Sequence, residues 1–180
     1  EYQLVLAEAL QRSLADALAV GEVLDATVAH SDAQAIMLWH VRESISEAQR
    51  LEGVSIKHDV SVAVSQIPRF ILDAELALHA QFPDLRIVCF GHIGDGNLHY
   101  NLSKADSSSN ELFIGQSSAA TRIVHDLIDS LGGSISAEHG IGQLKRDELK
   151  KYKSSLDLEL MQTIKQSLDP LGLMNPGNVL

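Results

Sequence analysis

The nonapeptide 91–99 constrains the fold more than any other stretch of the chain. An apolar run at 86–90 leads into it, and Asp95-Gly96 is a strong signal for a tight hairpin turn, because both turn residues must accept positive φ. A two-residue loop there would pair His92 directly with His99. Directly opposite residues of an antiparallel pair share a face, with Cβ atoms roughly 4.5–5.5 Å apart. The turn therefore predicts two neighbouring imidazoles, which is half of a metal site.

Composition limits the kinds of protein that this chain can be. Its 180 residues are 45% hydrophobic and carry a net charge of −10, which fits one folded domain over residues 1–180 and argues against a nucleic-acid partner. Cys89 is the only cysteine, so no disulfide framework can form. No apolar run reaches the roughly 18 residues of a membrane helix. We therefore expect a protein of the cytoplasm, or one bound peripherally at the inner face of a membrane.

Apolar periodicity outlines the order of the secondary structure. The predicted elements are a strand 2–7, a helix 8–20, a strand 24–29, a helix 31–50, a strand 54–64, a helix 65–81, the hairpin 86–102, a helix 111–131, an irregular strand 134–142, and helices 143–152 and 156–168. Mixed connections and one tight hairpin favour an α+β fold, with helices on one face of an antiparallel sheet. A doubly wound parallel sheet is the alternative, weakened by the hairpin and by the lack of a Gly-x-Gly-x-x-Gly turn.

A second polar stretch could complete the metal site. Glu138 and His139 stand beside Gly140 and Gly142, which permit close backbone approach or unusual φ. In a regular strand the two polar side chains would point to opposite faces. They can reach one site only if the backbone departs from strand geometry.

Cations in this acidic chain are candidates for binding an anionic substrate. Arg42 and Ser46 are four residues apart and would share a helix face, and Lys57 interrupts a strand rich in β-branched residues. The guanidinium of an arginine matches a carboxylate in shape and charge. An ordinary role as surface charges stays open for Arg42 and Lys57.

Three ordered motifs resemble a known family. They are His92-Ile-Gly-Asp-Gly-Asn-Leu-His99, Ser136-Ala-Glu-His-Gly-Ile-Gly142 and Asp169-Pro-Leu-Gly-Leu-Met-Asn-Pro-Gly177, and shorter matches precede them at 38–43 and 57–61. Together they resemble the C-terminal domain of FAD-linked oxidases, the D-2-hydroxyacid dehydrogenases of the vanillyl-alcohol-oxidase type. Ala63 stands where the family often has proline, which we take as a neutral change.

The resemblance implies a ferredoxin-like α+β cap domain and a role for each candidate. His92, His99 and Glu138 would bind a divalent metal, zinc or manganese, and His139 would be the general base. The implied substrate-binding residues are Arg42, Ser46, Lys57 and Asn101. Asn175 would lie near the flavin. The implied reaction is oxidation of a D-2-hydroxy acid to the 2-keto acid, with hydride passing to FAD.

No stretch of this chain resembles the family's FAD-binding domain. We therefore expect that domain, in the same polypeptide, to be the partner that holds most of the FAD, and the isolated chain to be inactive. The identity of the D-2-hydroxy acid and homodimer formation stay open. Two other functions also stay open: a stand-alone metal-dependent hydrolase using the same histidines and glutamate, and a non-catalytic α+β interaction module.

Overall fold

The computed structural model of the protein describes residues 2–104 and 109–180. The chain divides into two compact units, Glu1–Leu51 and Glu52–Leu180. No helix in the described part of the chain is long and apolar enough to cross a membrane.

The first unit is helical and contains two of our wrong predictions. It comprises α1 (Tyr2–Ala19), α2 (Asp32–Glu43) and most of α3 (Ile45–Glu52). The strand predicted at 2–7 is the start of α1, because alanine, leucine and glutamate favour helix and no turn residue separates 2–7 from the segment that follows. The strand predicted at 24–29 is absent from the described residues, since β-propensity without a pairing partner does not make a strand.

The helix predicted at 31–50 is present but interrupted. Ser31 caps α2, its side chain accepting the backbone N–H of Gln34. Ser44 separates α2 from α3, and its hydroxyl donates to the carbonyl oxygen of His40 at 2.7 Å. Such back-bonding by serine bends a helix.

The second unit contains an antiparallel sheet. Its elements in chain order are β1 (Ser55–Ile56), β2 (Asp59–Ser61), α4 (Ile67–Gln81), β3 (Arg86–His92), β4 (Asn97–Ser103), α5 (Asn110–Gly115), α6 (Ser117–Ser130), α7 (Arg146–Tyr152) and α8 (Ser155–Leu168). β1 and β2 pair with one edge of β4, β3 pairs with the other, and Ser134 bridges Ser61 beyond β2. This β-α-β-β-α-β order is that of a ferredoxin-like fold, so the predicted α+β class is confirmed.

The core lies between one face of this sheet and two helices. Leu98, Tyr100 and Leu102 alternate along β4 and are buried, as are Phe70 of α4 and Val124 of α6. The rings of Phe70 and Tyr100 meet edge to face, with centroids 5.1 Å apart. Because successive side chains of a strand alternate in direction, the polar residues of β4 lie on the opposite face.

His58 explains why the strand predicted at 54–64 is split. Its Nδ1 donates to the carbonyl oxygen of Tyr100 at 2.8 Å, and its backbone N–H donates to Asn101 Oδ1 at 3.3 Å. The Tyr100 N–H still donates to the His58 carbonyl oxygen at 2.9 Å, but the His58 N–H bonds the Asn101 side chain and not the Tyr100 carbonyl oxygen. The register is the same on both sides of this break, with Ile56 opposite Leu102 and Asp59 opposite His99.

The hairpin prediction is confirmed in its location and wrong in its register. His92 pairs with Asn97 and Phe90 with His99, so the loop has four residues rather than two. Asp95 accounts for the longer loop: its Oδ1 accepts the backbone N–H of Asn97 at 3.0 Å. His92 and His99 thus share a face but are diagonal neighbours, not directly opposite.

Gly96 makes this hairpin geometry specific. Its φ is +74°, and a Cβ at this position would lie 1.9 Å from the carbonyl oxygen of Val62, whose N–H donates to the Gly96 carbonyl at 3.1 Å. A Cβ at Gly94 would contact no atom within 4 Å. A side chain at Gly96 would therefore destabilise the loop, whereas a side chain at Gly94 has space.

We predict that Gly96→Ala lowers the free energy of unfolding by at least about 2 kcal/mol, because left-handed strain adds to a backbone clash. Gly94→Ala is the matched control and should change it by less than about 0.5 kcal/mol. Urea unfolding of the two variants measures the difference. Equal stability of the variants would contradict the geometry described for the loop.

His58 also predicts a dependence of stability on pH. Burial lowers its pKa to about 4, from an ordinary value of 6.5. The stabilising effect of the neutral form is complete above pH 6.5 and is lost as the pH falls towards 4, since the unfolded chain binds the proton first. The full effect is about 3 kcal/mol.

Unfolding free energies at pH 7 and pH 5 test this prediction. His58→Gln should reduce the difference between the two pH values, whereas His30→Gln, which changes an exposed histidine, should preserve it. The burial of His125 also lowers its pKa, so some pH dependence should persist in His58→Gln. An unchanged pH difference in His58→Gln would refute the assignment.

Candidate functional site

The candidate site lies on the sheet face opposite to α4 and α6. We call this surface the polar face and define it by Asp59, His92, Asn97, His99 and Asn101. Asn97, His99 and Asn101 alternate along β4 with the core residues Leu98 and Tyr100, so they point away from the core. Asp59 pairs with His99 and His92 pairs with Asn97, and directly paired residues share a face. Strand pairing thus gathers carboxylate, imidazole and amide groups from three strands.

Asp59 connects the polar face to the segment 136–139. Its Oδ2 accepts the backbone N–H groups of Ala137, Glu138 and His139 at 3.1, 2.9 and 2.9 Å. The carboxylate is only 4% exposed. Burial disfavours its charged form, but the three N–H groups outweigh burial and hold the pKa of Asp59 below its usual value.

The irregular strand predicted at 134–142 is reduced to the bridge at Ser134, because the next N–H groups turn towards Asp59 instead of a neighbouring strand. This departure from strand geometry is the one needed for Glu138 and His139 to reach one site. It brings both Glu138 and His139 to the polar face.

Glu138 lies beside His92. The Oε1 atom of Glu138 is 3.5 Å from Nδ1 of His92 and accepts a hydrogen bond from the side-chain amide of Asn97. Asp95 Oδ2 is 3.9 Å from the same His92 nitrogen. Both His92 and Glu138 are exposed, so these atoms are accessible from solvent.

His99 lies beside Asp59 and His139. Its Nδ1 is 3.8 Å from Asp59 Oδ1, and His139 Nδ1 is 3.8 Å from Asp59 Oδ2. The His99 ring is tilted against that of Phe90 and stacked on that of His139, with centroids 4.9 and 5.7 Å away. Asp59, His99 and His139 each present one ligand atom within 4.8 Å of the others.

The residues of the polar face fit a divalent cation. Imidazole and carboxylate are the donors that zinc and manganese accept. Asp59 Oδ1 and Asn97 Oδ1 are buried and accept no hydrogen bond from the residues that the structure describes. Buried polar atoms without a partner are costly, and a nearby cation or the groups that surround one would offset that cost.

The other predicted site residues lie at three places. Asn101 is buried on β4, and the exposed Lys57 stands across from it if the register of β1 and β2 continues through the break. Arg42 and Ser46 lie in the first unit. Asn175 is exposed in the terminal turn with φ +45°.

Asp59 and Asn97 are missing from the residues predicted from the sequence. Strand alternation could have identified both, since Asp59 is in phase with Lys57 and Asn97 is in phase with His99. The contacts of Asp59 with residues 78 or more positions later have no local signal in the sequence.

The chain is similar to several proteins named D-2-hydroxyglutarate dehydrogenase. It is 43% identical over 159 residues to that of Xanthomonas citri pv. viticola and 40% identical over 159 residues to that of Stutzerimonas stutzeri, in each case covering 88% of this chain and 34% of the relative. It is 36% identical over 174 residues to the mitochondrial enzyme of Rattus norvegicus, covering 97% of this chain and 31% of the relative. The chain thus spans about a third of the length of these relatives.

The family described as "FAD linked oxidases, C-terminal domain" matches residues 3–179, almost the whole chain. The chain belongs to this family of FAD-linked oxidase C-terminal domains.

Proposed function

We propose that this chain is the metal- and substrate-binding cap domain of a flavin-dependent dehydrogenase that oxidises a D-2-hydroxy acid. The observation that carries the proposal is the polar face, where imidazole and carboxylate groups converge in a member of the FAD-linked oxidase family. The relatives' name supports D-2-hydroxyglutarate as the substrate. The FAD would be held mostly by another domain of the same polypeptide, with Asn175 near the flavin.

We assign His92, His99 and Glu138 as the metal ligands. The 3.5 Å between His92 Nδ1 and Glu138 Oε1 suits two ligands of one ion, since ligand atoms about 2.0–2.2 Å from a tetrahedral zinc are separated by roughly this distance. The amide of Asn97 orients the Glu138 carboxylate. His99 lies on the same face, two residues beyond Asn97 along β4.

His139 is the proposed general base. When bound, a divalent metal would make the substrate hydroxyl more acidic, and a flavin would accept the hydride from C2. His139 would take the hydroxyl proton, because a neutral imidazole has a ring nitrogen that accepts one. Its backbone N–H is anchored to Asp59 while its side chain is exposed, so the imidazole is both positioned and accessible.

Lys57 and Asn101 would bind and orient the acid. Lys57 is an exposed cation beside the polar face, and the opposite charge of a substrate carboxylate makes it a suitable partner. Such contacts lower the activation barrier of the reaction because they hold the substrate in the reactive orientation. Arg42 and Ser46 are proposed as substrate-binding residues from the family motif alone, and the guanidinium of Arg42 suits a carboxylate.

We predict that His92→Ala in the full-length enzyme weakens metal binding by more than about 100-fold, exceeding the 10–100-fold typical of outer-shell partners. Oxidation of D-2-hydroxyglutarate should fall with it. Metal content after dialysis and the rate of 2-oxoglutarate formation measure the two effects. His30→Ala, which changes an exposed histidine of the first unit, is the control and should retain both.

Metal content and oxidation activity of the wild-type enzyme also distinguish the cap domain of a dehydrogenase from the two alternative functions. A wild-type protein without stoichiometric metal would refute the proposed site and favour a non-catalytic module. Stoichiometric metal without flavin-dependent oxidation of any 2-hydroxy acid would favour a metal-dependent hydrolase.

A further inference from the structure

We propose that Asp59 is a positioning residue of this site: one carboxylate oxygen holds the segment that carries Glu138 and His139, and the other orients the imidazole of His99. The inference rests on the proposed function and extends it to a side chain outside the assigned ligands and base. It follows from the contacts of the two carboxylate oxygens, which differ from each other.

The Oδ2 atom holds the backbone of 137–139. Three consecutive N–H groups converge on it at 2.9–3.1 Å, and the hydroxyl of Ser136 approaches to 3.5 Å. The N–H of Ala137 also lies 3.2 Å from the backbone oxygen of Asp59. Hydrogen bonds to a charged acceptor are the stronger ones, so the position of this segment depends on the charge of Asp59.

Two further hydrogen bonds shape the same segment. The Ser136 hydroxyl donates to the Gly140 carbonyl at 2.9 Å, and Lys145 Nζ donates to the Ile135 carbonyl at 2.9 Å. These bonds connect the segment to residues that follow it closely in the chain, Gly140 and Lys145. Apart from the bridge at Ser134, the hydrogen bonds that tie the backbone of this segment to the sheet in the described structure are those to Asp59, and the Glu138 side chain accepts one more from Asn97.

The Oδ1 atom faces His99. It is buried and accepts no hydrogen bond from the described residues, while His99 Nδ1 lies 3.8 Å away. That separation is too long for a hydrogen bond, but a small side-chain rotation would close it, and contacts in metal-free sites often tighten when the ligand binds. A proton on Nδ1 would then satisfy Oδ1 and leave Nε2 of His99 for the metal.

This arrangement is the one that metal-binding histidines ordinarily adopt, donating their second ring N–H to a carboxylate. Ring contacts with Phe90 and His139 limit the rotation of His99. The alternative is that Asp59 is itself a metal ligand together with His99 and His139. In that case His99 would bind the metal through Nδ1, so the two arrangements differ in which ring nitrogen carries the proton.

The test uses the full-length enzyme labelled with ¹⁵N-histidine. NMR should show a proton on Nδ1 of His99, with Nε2 bound to the metal. Signals of His99 are assigned by their loss in His99→Gln. In metal-free enzyme, Asp59→Asn should shift His99 towards the Nε2–H form, because the asparagine amide cannot accept the Nδ1 proton while its oxygen accepts the backbone N–H groups.

Metal affinity provides the second readout. Asp59→Asn should weaken Zn²⁺ binding by about 10–100-fold and lower the melting temperature less than Asp59→Ala does, because the amide oxygen is still an acceptor, though a weaker one than the carboxylate. Asp59→Ala should weaken it further and lower the melting temperature, because the N–H groups of 137–139 lose their acceptor. This difference between the two variants separates positioning from a purely structural role.

Asp169→Asn is the matched control. Asp169 is also buried and accepts two backbone N–H groups, from Leu173 and Met174, each at 2.9 Å, and it pairs with Lys165 where Asp59 faces histidines. It should retain Zn²⁺ affinity within about 2-fold, since none of the proposed ligands depends on it.

Wild-type Zn²⁺ affinity in Asp59→Asn, or Nδ1 of His99 bound to the metal, would overturn the proposal. Absence of dehydrogenase activity in the wild type would instead refute the proposed function. The histidine proton position in metal-free enzyme would still decide the role of Asp59.

Discussion

The convergence of three backbone N–H groups on one oxygen of Asp59 is the interaction on which the candidate site depends. Pairing of β2 with β4 places Asp59 beside His99, and the hydrogen bonds bring Glu138 and His139 to the same surface. A carboxylate is suited to this position, because a neutral acceptor would bind the N–H groups less strongly. One buried charge therefore connects the sheet to a segment nearly eighty residues later in the chain.

The ferredoxin-like fold gives the two sheet faces different tasks. Alternation along β4 directs Leu98, Tyr100 and Leu102 into the core with α4 and α6, and directs Asn97 and His99 to the polar face. The pairing that stabilises the fold therefore also sets the spacing of the candidate ligands. A register shift of one residue would exchange the two faces, which explains why the tight contact of Gly96 with Val62 matters for the site as well as for stability.

Local patterns allowed much of this fold to be predicted. The hairpin, α4 with Pro68 in its first turn, and the antiparallel α+β class follow from turn chemistry and periodicity. The site predictions depended on the family motifs and stay predictions, while the structure places His92 Nδ1 3.5 Å from Glu138 Oε1. What could not be predicted arises from side chains that replace backbone bonds: Asp95 lengthens the hairpin loop, His58 splits the strand, and Asp59 bends the segment after Ser134. The periodicity of apolar residues predicts which face a residue occupies, but it does not predict where a side chain takes the place of a backbone hydrogen-bonding partner.

The most direct test of the account is the position of a metal in crystals of the full-length enzyme. Anomalous diffraction from zinc or manganese would locate it independently of activity. We expect one ion on the polar face, about 2.0–2.2 Å from a nitrogen of His92, a nitrogen of His99 and an oxygen of Glu138. Asp59 should lie beyond bonding distance, behind His99. An ion bonded to Asp59, or bound away from the polar face, would contradict the account.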